Sequence, residues 1–229
     1  MSDLERILLQ ASIWVLPLIL AIPMHEAAHA WVARYYGDDT AARLGRVTFN
    51  PIKHIDPFGT IVMPGLLILF GAPFIFGYAK PVPVNFGRLR NPKRDMIWVA
   101  LAGPAVNLFL ACVGAVLLHV AFLVPGTFGE WLQLTLYLVV RLNIVLAVFN
   151  MLPILPLDGG RVLTGVLPLN LARQFARTER YGMLILLGLI FVLPLIGSQI
   201  GVFLSPLAWV LLPIVEAIEA LVMIVFGLA

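Results

Sequence analysis

Residues 13–29 read IWVLPLILAIPMHEAAH, and the interpretation of the whole chain starts from this stretch. Its first ten residues are apolar, which is typical of a helix that crosses a lipid bilayer. Its last five place His25 and His29 four residues apart. On a helix this spacing puts both imidazoles on one face, where they can hold one metal ion, with Glu26 placed to handle the proton of a metal-bound water. The stretch therefore predicts a metal site within membrane-spanning sequence.

The composition of the chain is that of a membrane protein. Of its 229 residues, 61% are hydrophobic and 12% are charged, and the mean hydropathy is +1.00. Soluble domains carry about 25% charged residues. The net charge of +3 does not indicate a nucleic-acid partner, because clustered Lys and Arg in a membrane protein mark the side on which its loops lie. We predict an all-α polytopic membrane protein, integral to the lipid bilayer, with one embedded domain over residues 1–229.

The apolar segments and basic loops predict a topology. Three connections between the apolar segments are rich in Lys and Arg, and the remaining two contain none. The positive-inside rule places the three basic connections in the cytoplasm, with the N-terminus outside and the C-terminus inside. Five segments are long enough to cross a hydrocarbon core of about 30 Å: 8–33, 95–123, 131–152, 181–197 and 200–226.

The segment 58–78 is apolar but interrupted by Pro and Gly, and both of its flanks are basic. It is predicted to be a re-entrant element that enters and leaves on one side, with a complete span as the alternative. The flanking stretches 44–51 and 80–85 have the residue types of extended chain, so a re-entrant, β-containing segment is expected around 40–86. Val82 and Val84 are candidate residues of an edge strand that binds an extended peptide. The alternative is an ordered loop at the membrane surface.

Asp158 is the candidate third metal ligand. It lies in the run NMLPILPLDGGR, residues 150–161, just beyond an apolar segment. A carboxylate there is costly unless it is hydrated, paired or bound to metal, although it could also cap the next helix. Asp158 can reach the two histidines only if the chain crosses the membrane an even number of times between them. Two crossings are supplied by 95–123 and 131–152, so a shared site requires 58–78 to be re-entrant.

Three stretches together resemble the site-2 protease family of intramembrane zinc metalloproteases. They are HEAAH, the GPAVN run at 103–107, and N-x-x-P-x-x-P-L-D-G at 150–159. The resemblance covers about residues 12–165 and corresponds to a minimal form without PDZ or cystathionine-synthase-type domains. It implies one catalytic Zn²⁺ held by His25, His29 and Asp158, with Glu26 as the catalytic base. It also implies a substrate-handling role for Asn150 and membrane-protein substrates that are cleaved in or near their transmembrane segments.

Further expectations rest on single residues. Asn107 could donate to substrate or to an oxyanion, or form a helix–helix hydrogen bond, and His54 could act on the substrate side or be an interfacial residue. Arg141, within a span, is expected to pair with Glu216 or Glu219.

These expectations place the catalytic core at about 8–165 and leave the segments 181–197 and 200–226 as accessory helices. The protein is expected in a prokaryotic cell membrane with its active site towards the cytoplasm. The oligomeric state stays open. The alternative functions are a metal transporter and a non-catalytic scaffold that retains zinc.

Overall fold

The computed structural model describes residues 3–62, 66 and 79–228. Within these ranges the chain is built from helices, joined by short turns. Single turns of 3₁₀ helix lie at Pro51–His54 and Phe86–Arg88, and π-helical turns lie at Pro57–Val62 and Gly188–Val192. The α-helices are α1 (Asp3–Tyr35), α2 (Thr40–Arg43), α3 (Pro92–Ala121), α4 (Gly126–Asn150), α5 (Asp158–Val166), α6 (Leu169–Ala176), α7 (Glu179–Leu187), α8 (Leu193–Gln199) and α9 (Pro206–Val225).

The centre of the bundle is an antiparallel pair, α3 and α4, against which α1 and α9 pack. The α3 face towards α4 is made of small residues, so the two backbones can approach closely, as is common between helices in membranes. Gly114, for example, lies opposite Val139 and Val140. The larger apolar side chains of α4 and α9 then complete the core. Its fully buried members include Ala111, Ala115, Leu118, Val140, Ile144 and Val215.

Five helical segments of the described chain have the length and hydropathy of membrane spans, which confirms the predicted number. They are Ser12–Tyr35, Pro92–Ala121, Gly126–Asn150, Glu179–Gln199 and Pro206–Val225. Together they make the protein a multi-pass, all-α membrane protein.

The prediction that the chain ends on opposite sides of the membrane is wrong. The Trp131 indole donates to Ser12 Oγ near the start of α1, and His119 Nε2 donates to the Phe226 carbonyl after α9. Trp131 and His119 both lie beside the short α3–α4 connection, so the start of α1 and the end of α9 lie on that side of the bundle. Helix α9 thus runs antiparallel to α4 and begins at the other end of the bundle, which is also where Glu179 starts α7 beside Arg161. Ends on one side require an even number of crossings, so the five segments that have the length and hydropathy of spans do not all cross the bundle.

The segment around 58–78 enters and leaves at the same end of the bundle. The Lys80 N–H donates to the His54 carbonyl over 2.9 Å, so the chain returns to the point where it left. This agrees with the even number of crossings that a shared metal site requires. The predicted re-entrant hairpin itself falls mainly on residues 63–65 and 67–78, which lie outside the described residues.

The predicted β-structure around 40–86 is wrong for the residues that the structure describes, since none of them forms a β-strand. Residues 44–50 form turns, and residues 79–85 run without regular structure across α1. Pro81 and Pro83 have no N–H with which to form a ladder. The N–H groups of Val82 and Asn85 donate to side-chain carboxylates of Glu26 and Asp38 instead of to a neighbouring strand.

Candidate metal centre

Helix α1 brings the two histidines of HEAAH to one point. Their Nε2 atoms lie 3.0 Å apart, and the two rings meet edge to face with centroids 4.6 Å apart. Both side chains are buried, with 8% of His25 and 9% of His29 exposed. Glu26 is half-buried on the same helix. The predicted one-face arrangement of the two imidazoles is therefore present.

The Nδ1 atom of each histidine forms a hydrogen bond to an oxygen of α3. His25 Nδ1 lies 2.6 Å from Asn107 Oδ1, and His29 Nδ1 lies 2.7 Å from the Val99 carbonyl. Because a carbonyl oxygen can only accept, each Nδ1 must carry a proton and donate it. In the neutral imidazole the Nε2 lone pair is then free to bind a cation, and both lone pairs face the same space.

A relay of buried amides fixes the orientation of Asn107. Asn143 Nδ2 donates to the Val139 carbonyl over 2.8 Å, which turns its Oδ1 towards α3. That oxygen accepts from Asn107 Nδ2, also over 2.8 Å, so Asn107 must present Oδ1 to His25. Both asparagines are fully buried. The Val139 carbonyl of α4 thus orients Asn143, and Asn143 orients Asn107. Asn107 in turn accepts from His25 Nδ1, which favours the tautomer with its proton on Nδ1. This placement does not fit the predicted contact between Asn107 and substrate.

Asp158, the first residue of α5, completes the cluster. Its Oδ2 lies 3.3 Å from His25 Nε2, and its Oδ1 lies 3.3 Å from His29 Nε2. Burial acts to raise the pKa of Asp158, but its interactions with the two histidines lower that pKa to about 2. The carboxylate is therefore ionised at neutral pH and offers a negative charge to a cation.

The three side chains fit a divalent metal ion. One ligand atom from each lies within 4.8 Å of the others. Asp158 Oδ2 is buried without a hydrogen-bond partner in the described part of the chain, as expected of an atom that binds a cation. A tetrahedral zinc ion with bonds of about 2.0–2.2 Å sets neighbouring ligand atoms roughly 3.3–3.6 Å apart, close to the spacing found here. Two imidazoles and a carboxylate are also a usual catalytic zinc set.

The close approach of α3 to the cluster depends on Gly103. A Cβ at this position would lie 2.5 Å from His25 Cε1 and 2.6 Å from His25 Nε2. No real Cβ occupies such a position without displacing its neighbour, so only glycine allows α3 to pack directly on the two imidazoles. The GPAVN run thus supplies both the glycine that admits the histidines and the asparagine that orients one of them.

Residues 79–85, which we call the strap, cover Glu26. The Val82 N–H donates to Glu26 Oε2 over 2.6 Å. The strap is held from both sides, because Arg46 donates to the Lys80 carbonyl over 2.8 Å and the Asn85 N–H donates to Asp38 over 2.6 Å. The strap therefore fixes the carboxylate of Glu26, the acidic residue of HEAAH.

Two side chains of the strap, those of Val82 and Val84, pack against the protein. Val82 packs on Ala30 and Ala41, and Val84 packs on the cluster that contains Val99. Both valines are thus occupied in the packing of the strap on the rest of the protein. The candidate substrate strand is therefore in contact with α1.

The remaining sequence candidates lie around the cluster and not within it. Asn150, the last residue of α4, is half-buried and donates to the Leu146 carbonyl over 2.9 Å. His54 is buried, donates through Nε2 to the Thr48 carbonyl and accepts from the strap through its own carbonyl. Sequence reasoning missed Asn143, for which the only available signal was an amide within an apolar segment.

Comparison with known proteins supports the same assignment. The model of peptidase family M50 matches residues 126–194, which include Asp158. A Bacillus subtilis protein provisionally named zinc metalloprotease YwhC is 41% identical over 190 residues, covering 81% of this chain and 82% of the relative.

Relatives with lower sequence identity are also named as zinc metalloproteases. Rip2 of Mycolicibacterium smegmatis, also provisionally named a zinc metalloprotease, is 29% identical and covers 82% of this chain and 71% of its own length. MJ0611 of Methanocaldococcus jannaschii, named in the same way, is 34% identical over 61% of this chain and 62% of its own length. No solved structure matches the chain. The predicted resemblance and the zinc cofactor are confirmed: the chain belongs to peptidase family M50, the site-2 protease family, and is a zinc metalloprotease with multiple membrane-spanning helices.

Proposed function

We propose that this protease hydrolyses peptide bonds in or next to transmembrane segments of membrane-protein substrates. His25, His29 and Asp158 hold the zinc, and Glu26 is the general base. The convergence of these three ligands within a bundle of apolar helices carries the proposal. A soluble substrate would have no reason to meet a site built into membrane-spanning sequence, whereas an apolar segment in the bilayer would reach it by lateral diffusion.

The residues divide the chemistry as follows. Zinc, when bound, lowers the pKa of a water and polarises the scissile carbonyl. Glu26 is the residue that would accept a proton from the attacking water and deliver it to the leaving amine. The Val82 N–H holds the Glu26 carboxylate in place. The Nδ1 hydrogen bonds of the two histidines keep both Nε2 lone pairs directed at the metal.

The end of α4 is the proposed substrate side of the site. Asn150 lies at the C-terminus of α4, one loop before Asp158, and its amide donates only locally, to Leu146. An unwound peptide exposes carbonyl groups that need donors, so Asn150 can turn from Leu146 to the substrate backbone. His54, Val82 and Val84 contribute to substrate binding by supporting or forming the strap beside Glu26.

The active site is proposed to lie towards the cytoplasm. The basic connections around 34–53, 80–94 and 161–180 all lie at the metal end of the bundle, whereas the α3–α4 connection at the other end has no Lys or Arg. The positive-inside rule then orients the metal end to the cytoplasm of a prokaryotic cell. We also propose that residues 1–229 form one embedded domain, with a catalytic core at about 8–165 and accessory helices at 181–197 and 200–226.

Glu26→Gln tests the catalytic assignment. The purified protein is reconstituted with a single-span substrate, and cleavage and bound zinc are measured together. The variant is expected to lose cleavage and keep its zinc, because Gln cannot accept the proton. Glu130→Gln, which changes an exposed acid at the opposite end of the bundle, serves as the matched control and keeps both. Cleavage at the wild-type rate by Glu26→Gln would exclude Glu26 as the base.

Cleavage by the wild-type protein, together with a measurement of zinc transport into the same vesicles, separates the protease from the two alternative functions, a metal transporter and a zinc-retaining scaffold. A metal transporter would move zinc across vesicles without cleaving any peptide, and its transport would not require a base. A scaffold that only retains zinc would leave the substrate intact in the wild-type protein.

A further inference from the structure

A charged patch lies at mid-depth on the outer surface of the bundle, on α4 and α9. We define the mid-membrane patch as Arg141, Glu216 and Glu219. Arg141 Nη1 lies 2.7 Å from Glu219 Oε2, which confirms the predicted pairing of Arg141 with an acid of the last helix. The Arg141 side chain is 48% exposed and that of Glu219 is 21% exposed. The ion pair thus closes α9 onto α4 at the rim of their interface.

Glu216 has no such partner. It lies one turn before Glu219 on α9 and is exposed. No hydrogen bond or ion pair joins it to any residue that the structure describes. It is the eleventh of the 20 residues of α9, so about 15 Å of helix separates it from either end at 1.5 Å per residue. Glu216 is therefore an exposed carboxyl group near the middle of an apolar helix that is long enough to span a bilayer.

A carboxyl group in this position is costly. Ionisable side chains within membrane helices normally face the protein interior or pair with one another. Arg141 already pairs with Glu219, so Glu216 is the carboxyl group of the mid-membrane patch that lacks a cationic partner in the described chain. A second copy of the chain would bring a second Glu216 and no unpaired cation, so it would not supply the missing partner. A single positive charge at the same depth would.

We propose that the mid-membrane patch docks a transmembrane helix of a separate membrane protein that carries one Lys or Arg near its middle. The cation pairs with Glu216. The neighbouring exposed residues Ala217 and Ala220 are small, so the backbone of a partner helix can approach α9 closely. Pro213 has no N–H, so the Trp209 carbonyl one turn earlier lacks its usual donor and is a further acceptor for the partner.

The test uses synthetic helices of defined sequence. Peptides of about 21 Leu and Ala residues, long enough to span a bilayer, carry a central Lys, Leu or Glu. Binding to the labelled protein is measured by energy transfer in phosphatidylcholine vesicles. The Lys peptide is expected to bind the wild type about tenfold more tightly than the Leu peptide, a ratio that corresponds to about 1.4 kcal/mol. The Glu peptide is expected to bind more weakly than the Leu peptide.

Variants then assign the preference to Glu216. In Glu216→Gln the Lys and Leu peptides are expected to bind equally, and in Glu130→Gln the tenfold ratio is expected to remain. Equal binding of the three peptides to the wild type would overturn the proposal, and this comparison needs no variant to fold. A Lys preference that persists in Glu216→Gln would also overturn it. Energy transfer between two labelled copies without peptide, lost in Glu216→Gln, would assign the patch to a homodimer instead.

Discussion

Replacement of Asn107 by Leu should weaken zinc binding without touching any metal ligand. Asn107 Oδ1 accepts the Nδ1–H of His25 over 2.6 Å, and the side chain is fully buried. No water can take over the lost hydrogen bond, so His25 is free to adopt the tautomer or ring position that turns its lone pair away from the metal. Loss of such a partner typically costs 10–100-fold in metal affinity, or about 1.4–2.7 kcal/mol.

Asn143→Leu is the matched control. Both variants break the same Asn107–Asn143 hydrogen bond and leave a buried amide group unpaired, which costs roughly 1–3 kcal/mol of folding free energy in each case. Only Asn107→Leu also removes the acceptor of His25. Asn143→Leu should therefore lose thermal stability but keep the zinc affinity within about twofold, because the Asn107 NH₂ group still lies 3.5 Å from the Ala21 carbonyl and Oδ1 can still face His25.

The assay is competition for zinc between the purified protein and a chelating dye, with thermal unfolding followed on the same samples. The Asn107–His25 hydrogen bond would be refuted as the determinant of the His25 tautomer if Asn107→Leu bound zinc as tightly as Asn143→Leu. Equal losses of affinity in both variants would show that general destabilisation, and not the bond to His25, controls the site.

Three further predictions concern the packing, the strap and the metal. Gly103→Ala should abolish zinc binding and cleavage, because its Cβ would occupy the space of the two imidazoles, whereas Gly188→Ala, with open space around the new Cβ, should retain both in the same assays. Val82→Pro removes the N–H that holds Glu26 and should lower kcat about tenfold with zinc content unchanged, while Val84→Pro should have a smaller effect; equal loss in both would indicate general damage to the strap. Removal of zinc by a chelator should abolish cleavage and lower the thermal unfolding midpoint, and zinc should restore both. Since a ligand at 100 times its Kd stabilises by about 2.7 kcal/mol, an unchanged midpoint would contradict a site built into the fold.

The three residues of the candidate metal site could be picked out from the sequence because each leaves a local signal. HEAAH has helical spacing, and Asp158 is a lone carboxylate between prolines and glycines at the end of an apolar segment. An even number of membrane crossings between HEAAH and Asp158 allows the two to lie at the same end of the bundle, although more than 120 residues separate them. Only the crossings between HEAAH and Asp158 enter this count, so the wrong location of the C-terminus does not affect it.

The supporting groups could not be predicted in the same way. Asn107 was identified, but an amide in an apolar segment is equally suited to substrate binding and to helix packing. Its role depends on Asn143 and on the Val139 carbonyl, which only the packing of α3 on α4 brings together. The strap was predicted as an edge strand from its alternating prolines. Its N–H groups donate instead to the carboxylates of Glu26 on α1 and Asp38 in the loop after α1. No sequence pattern predicts these two hydrogen bonds.

The charges of the site explain why an amide, and not a carboxylate, holds His25. Metal-bound histidines are often oriented by a carboxylate. In the proposed zinc site, Asp158 and Glu26 would together balance the two positive charges of the ion, because imidazoles are neutral when they bind a metal. A third carboxylate at position 107 would leave a net negative charge in a fully buried place among apolar helices, where an unpaired charge is strongly unfavourable. Asn107 supplies the same accepting oxygen without charge, and its NH₂ group is satisfied by the Asn143 amide oxygen. The relay thus allows a neutral metal centre to be oriented from within the bundle.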